Sequence, residues 1–319
     1  MTTILTYLSD YWKGLNKAQF AFVSLFTAAA IWLNYKYDIE DSWIDRHYGT
    51  YKHFIYYYLL YSVAVIAGYL SYLHDSESRK SFLSNPRFWG RLALAVGIFS
   101  FYCYFYQYRD WLNHQVNDAV YRAFLKACAD QVVQSSLMFL LVLGFWWWRD
   151  RKEQPLYGFR MKGVNIQPYL WLLSGMIPLV VAAGFFSQFT DYYPTARKIL
   201  YYSEQLKPFP LYLLAYELCY GSEFFHIEFF FRGFLILAFA KYVGIKSVLP
   251  VAVFYCFVHF GKPPGECISS YFGGIILGVL SYRTKSIAAG VMIHVGIAWL
   301  MELVAGGWYY FNEYLQIHV

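Results

Sequence analysis

The sequence predicts an all-α, polytopic transmembrane bundle, and three observations carry that reading. The chain is 59% hydrophobic and 23% aromatic over its 319 residues, with only 14% charged, whereas ordinary soluble domains carry ~25% charge. Apolar runs close to the ~20 residues that cross a bilayer recur along its whole length. The basic residues sit in short loops between those runs, as where Trp146, Trp147 and Trp148 end a span just before Arg149-Asp150-Arg151-Lys152, an aromatic belt meeting a basic loop. No polar block is long enough for a separate soluble domain, and the mean hydropathy is +0.34.

About nine spans are expected, near residues 18–35, 54–74, 92–108, 131–148, 167–187, 209–240, 246–260, 268–282 and 286–305. The seventh and eighth are short, as half-buried or tilted helices inside a bundle are, and tyrosines interrupt the third. Two stretches, 109–130 and 188–207, mix Tyr, Leu and Ile with charges and read as amphipathic helices along the interface. Tyr157–Gly163 has turn residues and reads as a small extended hairpin. The N-terminus lacks the pattern of a cleaved signal peptide, so the first span is read as retained. Residues 1–165 form N-terminal spans with no legible chemistry, and 166–319 form a helical core that carries the candidate site.

The lysine and arginine bias across the loops, with Arg79, Lys80, Arg87, Arg91 and Arg149–Lys152 on one side, places the N-terminus in the cytoplasm. The expected location is a bacterial inner membrane, crossed many times. Membrane orientation accounts for the net charge of +6, so no nucleic-acid partner is expected. The expected partners are lipid and a peptide substrate. The five cysteines are scattered, odd in number and form no CxxC pair, which reads as buried reduced thiols.

The chemistry lies in the last third. Glu228 and Arg232 sit in one apolar run, His259 near the end of the next, and His294 in the last. A charge at membrane depth costs ~2.5–3.5 kcal/mol on insertion scales, so such residues mark functional sites by default. Glu228 and Arg232 are four apart and share a helix face. Glu217, about three turns earlier, falls on nearly the same face, whereas Glu223 and His226 point to the other side. His259 precedes the Gly/Pro-rich break Gly261-Lys262-Pro263-Pro264-Gly265, and Glu266 returns from it. Irregular backbone at membrane depth requires surrounding protein or a water cavity. A carboxylate or imidazole in such a cluster acts as general base on water, and another donor stabilises an oxyanion. The same groups are ligand types for a divalent metal such as zinc, although no HExxH is present, and a metal-free site fits equally. A structural ion pair for Glu228–Arg232 is the competing reading.

Three motifs in order, Glu228-Phe229-Phe230-Phe231-Arg232-Gly233, Tyr255-x-x-x-His259 and His294, resemble those of the CPBP family. These are the CAAX-type intramembrane proteases and bacteriocin-processing or immunity proteins, also called the Abi family, with patterns EExxxR, FxxxH and HxxxN or HxxxD. Tyr271–Ile287 resembles the family's glycine-rich helix and T-x-S-I turn. The resemblance covers about residues 209–305. It implies a glutamate-dependent endopeptidase acting within the bilayer on a peptide or lipidated peptide. In that scheme Glu and His activate water, while the remaining His and an Asn stabilise the oxyanion. Carried over, the site is Glu228, Arg232, His259 and His294, with Glu266 as a candidate substitute. The chain departs from the pattern twice: the first Glu of EExxxR is Ile227, and the last-motif Asn or Asp is Ala298. Glu228, His259, Glu266 and His294 are expected to converge on one buried polar cavity. The alternatives are a catalytically degenerate scaffold or immunity-type protein on the same fold and, less favoured in the absence of inverted repeats, a transporter.

Overall fold

The computed structural model describes residues 2–159 and 165–311. Among them every regular element is helical. The main helices are α1 (Thr2–Gly14), α2 (Lys17–Tyr37), α3 (Tyr51–Leu70), α4 (Pro86–Tyr104), α5 (Gln107–Gln115), α6 (Ala119–Phe145), α7 (Gln167–Ala183), α8 (Phe209–Glu228), α9 (Val248–Phe257), α10 (Pro264–Thr284) and α11 (Ala288–Tyr310). Local chemistry sets their starts. Asn16 and Asn85 cap α2 and α4 by accepting the backbone N–H of Gln19 and Arg87, and proline occupies the first turn of α4, α7 and α10.

Six described helical runs are long and apolar enough to cross a membrane: Lys17–Tyr37, Tyr51–Leu70, Pro86–Gln115, Ala119–Asp150, Phe209–Phe257 and Ala288–Tyr310. Four of the nine expected spans are counted differently, which takes nine to six, for physical reasons. Those at 209–240 and 246–260 belong to one helical run, because α8 continues into a π-helical stretch, Phe229–Ala238, and then through short turns into α9. The span at 167–187 is the short helix α7. The span at 268–282 lies within α10, which Glu266, Arg283 and several Ser and Gly make too polar to qualify. Large apolar side chains point outward from the spans, with Leu25, Leu59, Leu140, Leu211 and Leu303 all more than half exposed, as lipid-facing positions require.

The two interfacial stretches take other forms. Residues 109–115 belong to α5, while 119–130 begin the long helix α6, and Arg109 ties the two by donating from Nε and Nη2 to Asp130, both at 2.7 Å. The stretch 188–207 breaks into Ser187–Tyr192, Arg197–Tyr201 and turns. Tyr157 and Gly158 turn the chain with positive φ, while residues 160–164, which hold the rest of the expected hairpin, lie outside the described residues.

The chain divides into two compact units, each drawing on both of its halves. The first comprises Met1–Phe105, Met138–Val164 and Glu228–Gly290. In it α9 packs on α3 and α10, α3 on α4, and α10 on α1 and the π-helical stretch. An aromatic core of Tyr61, Phe99, Phe230, Phe231 and Phe254 fills it, with ring centroids 5.0–6.3 Å apart. The second comprises Tyr106–Leu137, Asn165–Ile227 and Val291–Val319. Phe124, Tyr216, Tyr220 and Ala298 share an apolar cluster there. Glu302, buried in α11, accepts from the Thr195 N–H and hydroxyl (2.7 and 2.8 Å) and the Ala196 N–H (3.1 Å), fixing the turn before Arg197–Tyr201. All five cysteines are free thiols, and the Sγ atoms of Cys256 and Cys267 lie 3.9 Å apart.

The crossing of α3 and α9 depends on a missing side chain. A Cβ at Gly68 would lie 2.6 Å from the Pro250 Cα, whereas one at Gly90 in α4 would meet nothing within 4 Å. Gly68→Ala is therefore expected to destabilise by ~1–3 kcal/mol through forced separation of the helices. Gly90→Ala should be neutral or slightly stabilising. Apparent melting temperatures in detergent check both, and equal behaviour of the two variants would refute the contact.

Candidate active site

The fold builds the candidate site outward from Glu228, the last residue of α8, and Arg232, four residues on in the π-helical stretch. Both are sealed, at 0% and 1% exposure, and Arg232 Nη1 lies 3.0 Å from Glu228 Oε1. A π-helix of ten residues is long for a conformation that mostly occurs as single turns, and such segments concentrate at functional sites. The guanidinium sits 4.3 Å from the centroid of the Tyr255 ring, a cation–π contact of the kind worth ~2 kcal/mol or more when desolvated. On the other side α11 closes over the carboxylate at Gly290, where a Cβ would stand 2.2 Å from Glu228 Oε2.

Tyr255 links this pair to the next predicted residue. Its ring lies 4.6 Å from that of His259, and its carbonyl receives the His259 Nδ1 hydrogen at 2.7 Å. A carbonyl only accepts, so Nδ1 carries a proton, and in the neutral form of the ring the basic lone pair is on Nε2. Helix α9 ends just before His259, and the chain runs through a turn into α10, whose first turn holds the half-buried Glu266. Glu266 is within electrostatic range of the Tyr255 hydroxyl. The unit thus places Glu228, Arg232, Tyr255 and His259 in one contact chain, with Glu266 at the adjoining turn. His294 belongs to the other unit, half-buried with its ring 4.5 Å from Phe224. His226 also lies there, with Nδ1 2.9 Å from the Ser135 hydroxyl. Among the described residues no three His, Cys, Asp or Glu side chains gather as metal ligands, so the donor set of a resident zinc is not assembled in them.

Several supporting residues escaped the sequence reading. The turn after His259 is held by α2 and the segment following it. Asn34 donates to the Phe260 carbonyl at 3.1 Å, and the Tyr35 hydroxyl donates to the Lys262 carbonyl at 2.6 Å. The Asn34 side-chain Oδ1 accepts the Glu40 N–H at 3.1 Å. Glu40, buried beyond the end of α2, accepts the Tyr57 hydroxyl at 2.9 Å on Oε1. Its Oε2 faces Gly261, where a Cβ would sit 3.3 Å away. Burial pushes the Glu40 carboxyl up to about 8, with the Tyr57 hydrogen bond opposing and the Asp45 and Asp41 charges adding to the rise. More than 200 residues separate these groups from the turn, so no local spacing could have flagged them. The one signal was that Glu40 and Asp41 lie a few residues past the apolar run 18–35. Of the two departed motif positions, Ile227 is 8% exposed, and Ala298, 4% exposed, is walled in by the aromatic cluster of its unit.

Residues 222–300 match the family model described as Rce1-like, type II CAAX prenyl endopeptidase Rce1-like. The match agrees with the CPBP resemblance and covers Glu228, Arg232, His259, Glu266 and His294. No curated protein and no solved structure matches the chain.

Two outcomes follow from this geometry. Gly290→Ala must displace the Glu228 carboxylate, so it is expected to cost ~1–3 kcal/mol in the wild-type background and clearly less beside Glu228→Ala. A double-mutant cycle by thermal unfolding measures that coupling, and additive costs would disprove the contact. Glu40 binds a proton in the fold that the unfolded chain releases above its ordinary value of 4.5. The stability it contributes is fully present below about pH 4.5 and is lost as pH rises towards about 8. Melting of wild type should therefore fall across that window more steeply than that of Glu40→Gln, and parallel profiles would contradict a buried, protonated carboxyl.

Proposed function

We propose that this CAAX-protease-like membrane protein is an intramembrane endopeptidase with an altered motif, hydrolysing a peptide bond of a membrane-borne, lipidated or unlipidated peptide. The observation that carries this reading is the fixed tautomer of His259 beside the sealed Glu228–Arg232 pair, within the segment that matches the endopeptidase family. An imidazole anchored through Nδ1 offers Nε2 to a water or a reacting group. Glu228 is neutralised by Arg232 and enclosed by protein, which suits a positioning role better than proton abstraction. Glu266 is half-buried in the first turn of α10, which follows the turn after His259, and we assign it the carboxylate duty that Ile227 cannot perform. The family resemblance would give His294 the oxyanion. In this reading residues 166–319 form the catalytic core and 1–165 its supporting helices. Separating α8 from α9 and counting α7 and α10 raises the six crossings to nine. The N-terminus is assigned to the cytoplasmic side of a bacterial inner membrane.

A second reading has its own support. Ala298 stands in an aromatic cluster where the family pattern places an amide or carboxylate, and Ile227 replaces a glutamate. A chain that kept the fold and lost the reaction would serve as a membrane scaffold or immunity-type protein.

Purified protein in detergent, given a membrane-peptide library that includes prenylated CAAX peptides, separates the two. Cleavage is expected for wild type and should fall by ~100-fold or more in Glu266→Gln and in His259→Ala, with melting unchanged. Full activity of Glu266→Gln would remove it from the mechanism. Absence of cleavage by folded wild type across the library would favour the scaffold. A chelator arm decides between a metal-dependent and a metal-free reaction.

A further inference from the structure

A second polar site lies in the first unit, apart from the residues above. A cavity of about 400 Å³ opens where the C-terminal end of α6 meets the start of α4 and the segment at Lys241. Its lining includes four cations, Arg87, Arg91, Arg149 and Lys241, and two carboxylates, Asp150 and Glu153.

The inner part of this site is already neutralised. Arg91 donates from both terminal nitrogens to Asp150, at 2.5 and 2.8 Å. Asp150, 1% exposed, also accepts the Tyr157 hydroxyl at 2.6 Å and the Gln154 amide at 2.9 Å. Lys241 bridges Asp150 at 3.1 Å and Glu153 at 2.6 Å. Both carboxylates are therefore spent on Arg91 and Lys241. Arg87 and Arg149 remain at the rim, exposed and with no carboxylate within ion-pair distance among the described residues. Arg149 lies 5.1 Å over the Trp148 ring. The cavity thus presents two uncommitted guanidiniums above a rigid, charge-balanced floor.

Its setting specifies the anion. Trp147 and Trp148, 61% and 74% exposed, end the span at the level where tryptophan marks the headgroup region. Leu140 and Leu141, one to two turns back along α6, are 58% and 40% exposed and continue that outer face into the apolar layer. Guanidiniums bind phosphate oxygens in pairs, and a cavity of this volume takes a ligand larger than bare phosphate. We propose that the cavity binds the headgroup phosphate of an anionic glycerophospholipid, with Arg87 and Arg149 on the phosphate and the acyl chains along the outer face of α6.

The test uses the full chain in detergent with dioleoylphosphatidylglycerol as probe, read by native mass spectrometry and by titration. Arg87→Gln/Arg149→Gln is expected to weaken binding roughly tenfold or more, since each basic residue at an interface contributes about a factor of five. Arg79→Gln/Lys80→Gln removes the same charge from exposed positions outside the cavity and should leave binding within about twofold of wild type. Equal losses in the two pairs would mean diffuse attraction and overturn the proposal, as would no loss in either. Dioleoylphosphatidylcholine should bind more weakly than the anionic lipid. Displacement of the lipid by inorganic phosphate as readily as by glycerol phosphate would overturn the headgroup assignment in favour of free phosphate.

Discussion

The candidate site depends on one buried ion pair. Glu228 and Arg232 are taken out of solvent completely, and neither could be placed there alone. An isolated charge in such surroundings costs several kcal/mol, and breaking a buried pair typically costs ~3–5 kcal/mol. Their mutual attraction therefore constrains everything around them: the backbone conformation that carries Arg232, the Tyr255 ring that takes the guanidinium face, and the bare Gly290 backbone against the carboxylate. Through Tyr255 the constraint reaches His259, whose tautomer is set by the carbonyl of the same residue. The pair is thus the anchor of a positional chain ending at an imidazole held through its Nδ1–H.

That arrangement separates two duties that one motif usually combines. A carboxylate held by an arginine and shut away from water is a good brace and a poor base. A half-buried carboxylate in the first turn of the helix that follows His259 stands in the opposite environment. The proposed division of labour between Glu228 and Glu266 follows from those environments, and it is why the isoleucine at 227 does not by itself rule out hydrolysis.

Much of this was legible in the sequence, for reasons that differ by residue. The pairing of Glu228 with Arg232 follows from their spacing alone, and the break after His259 from the density of Gly and Pro. The helical class and the membrane setting follow from composition. The number of crossings was less legible from length, because π-helical and short-turn segments join two expected spans into one run and because Glu266, Arg283 and the Ser and Gly residues of α10 offset its apolar centre. The supports of the turn were hidden for another reason. Asn34, Tyr35 and Glu40 reach residues 259–262 across the fold, and a contact of that kind leaves no local periodicity. The same holds for the Asp150 network, which gathers Arg91, Tyr157 and Lys241 from three separate segments. An aromatic belt beside a basic loop indicated an interface there, but not a cavity.

The ten-residue π-helical stretch has a bearing on the register of the chain. A π turn accommodates one residue more than an α turn, so the stretch amounts to an insertion absorbed into a helix without a loop. A residue in the stretch therefore advances by less than the ~100° of an α residue, and rewinding the same ten residues as α-helix would turn the preceding side chains relative to those that follow. Glu228 would then leave the face that looks at Gly290, although every amino acid of the motif would still be present. The identity of the motif and the phase of the helix are therefore separate requirements, and a related chain could keep the letters while losing the alignment.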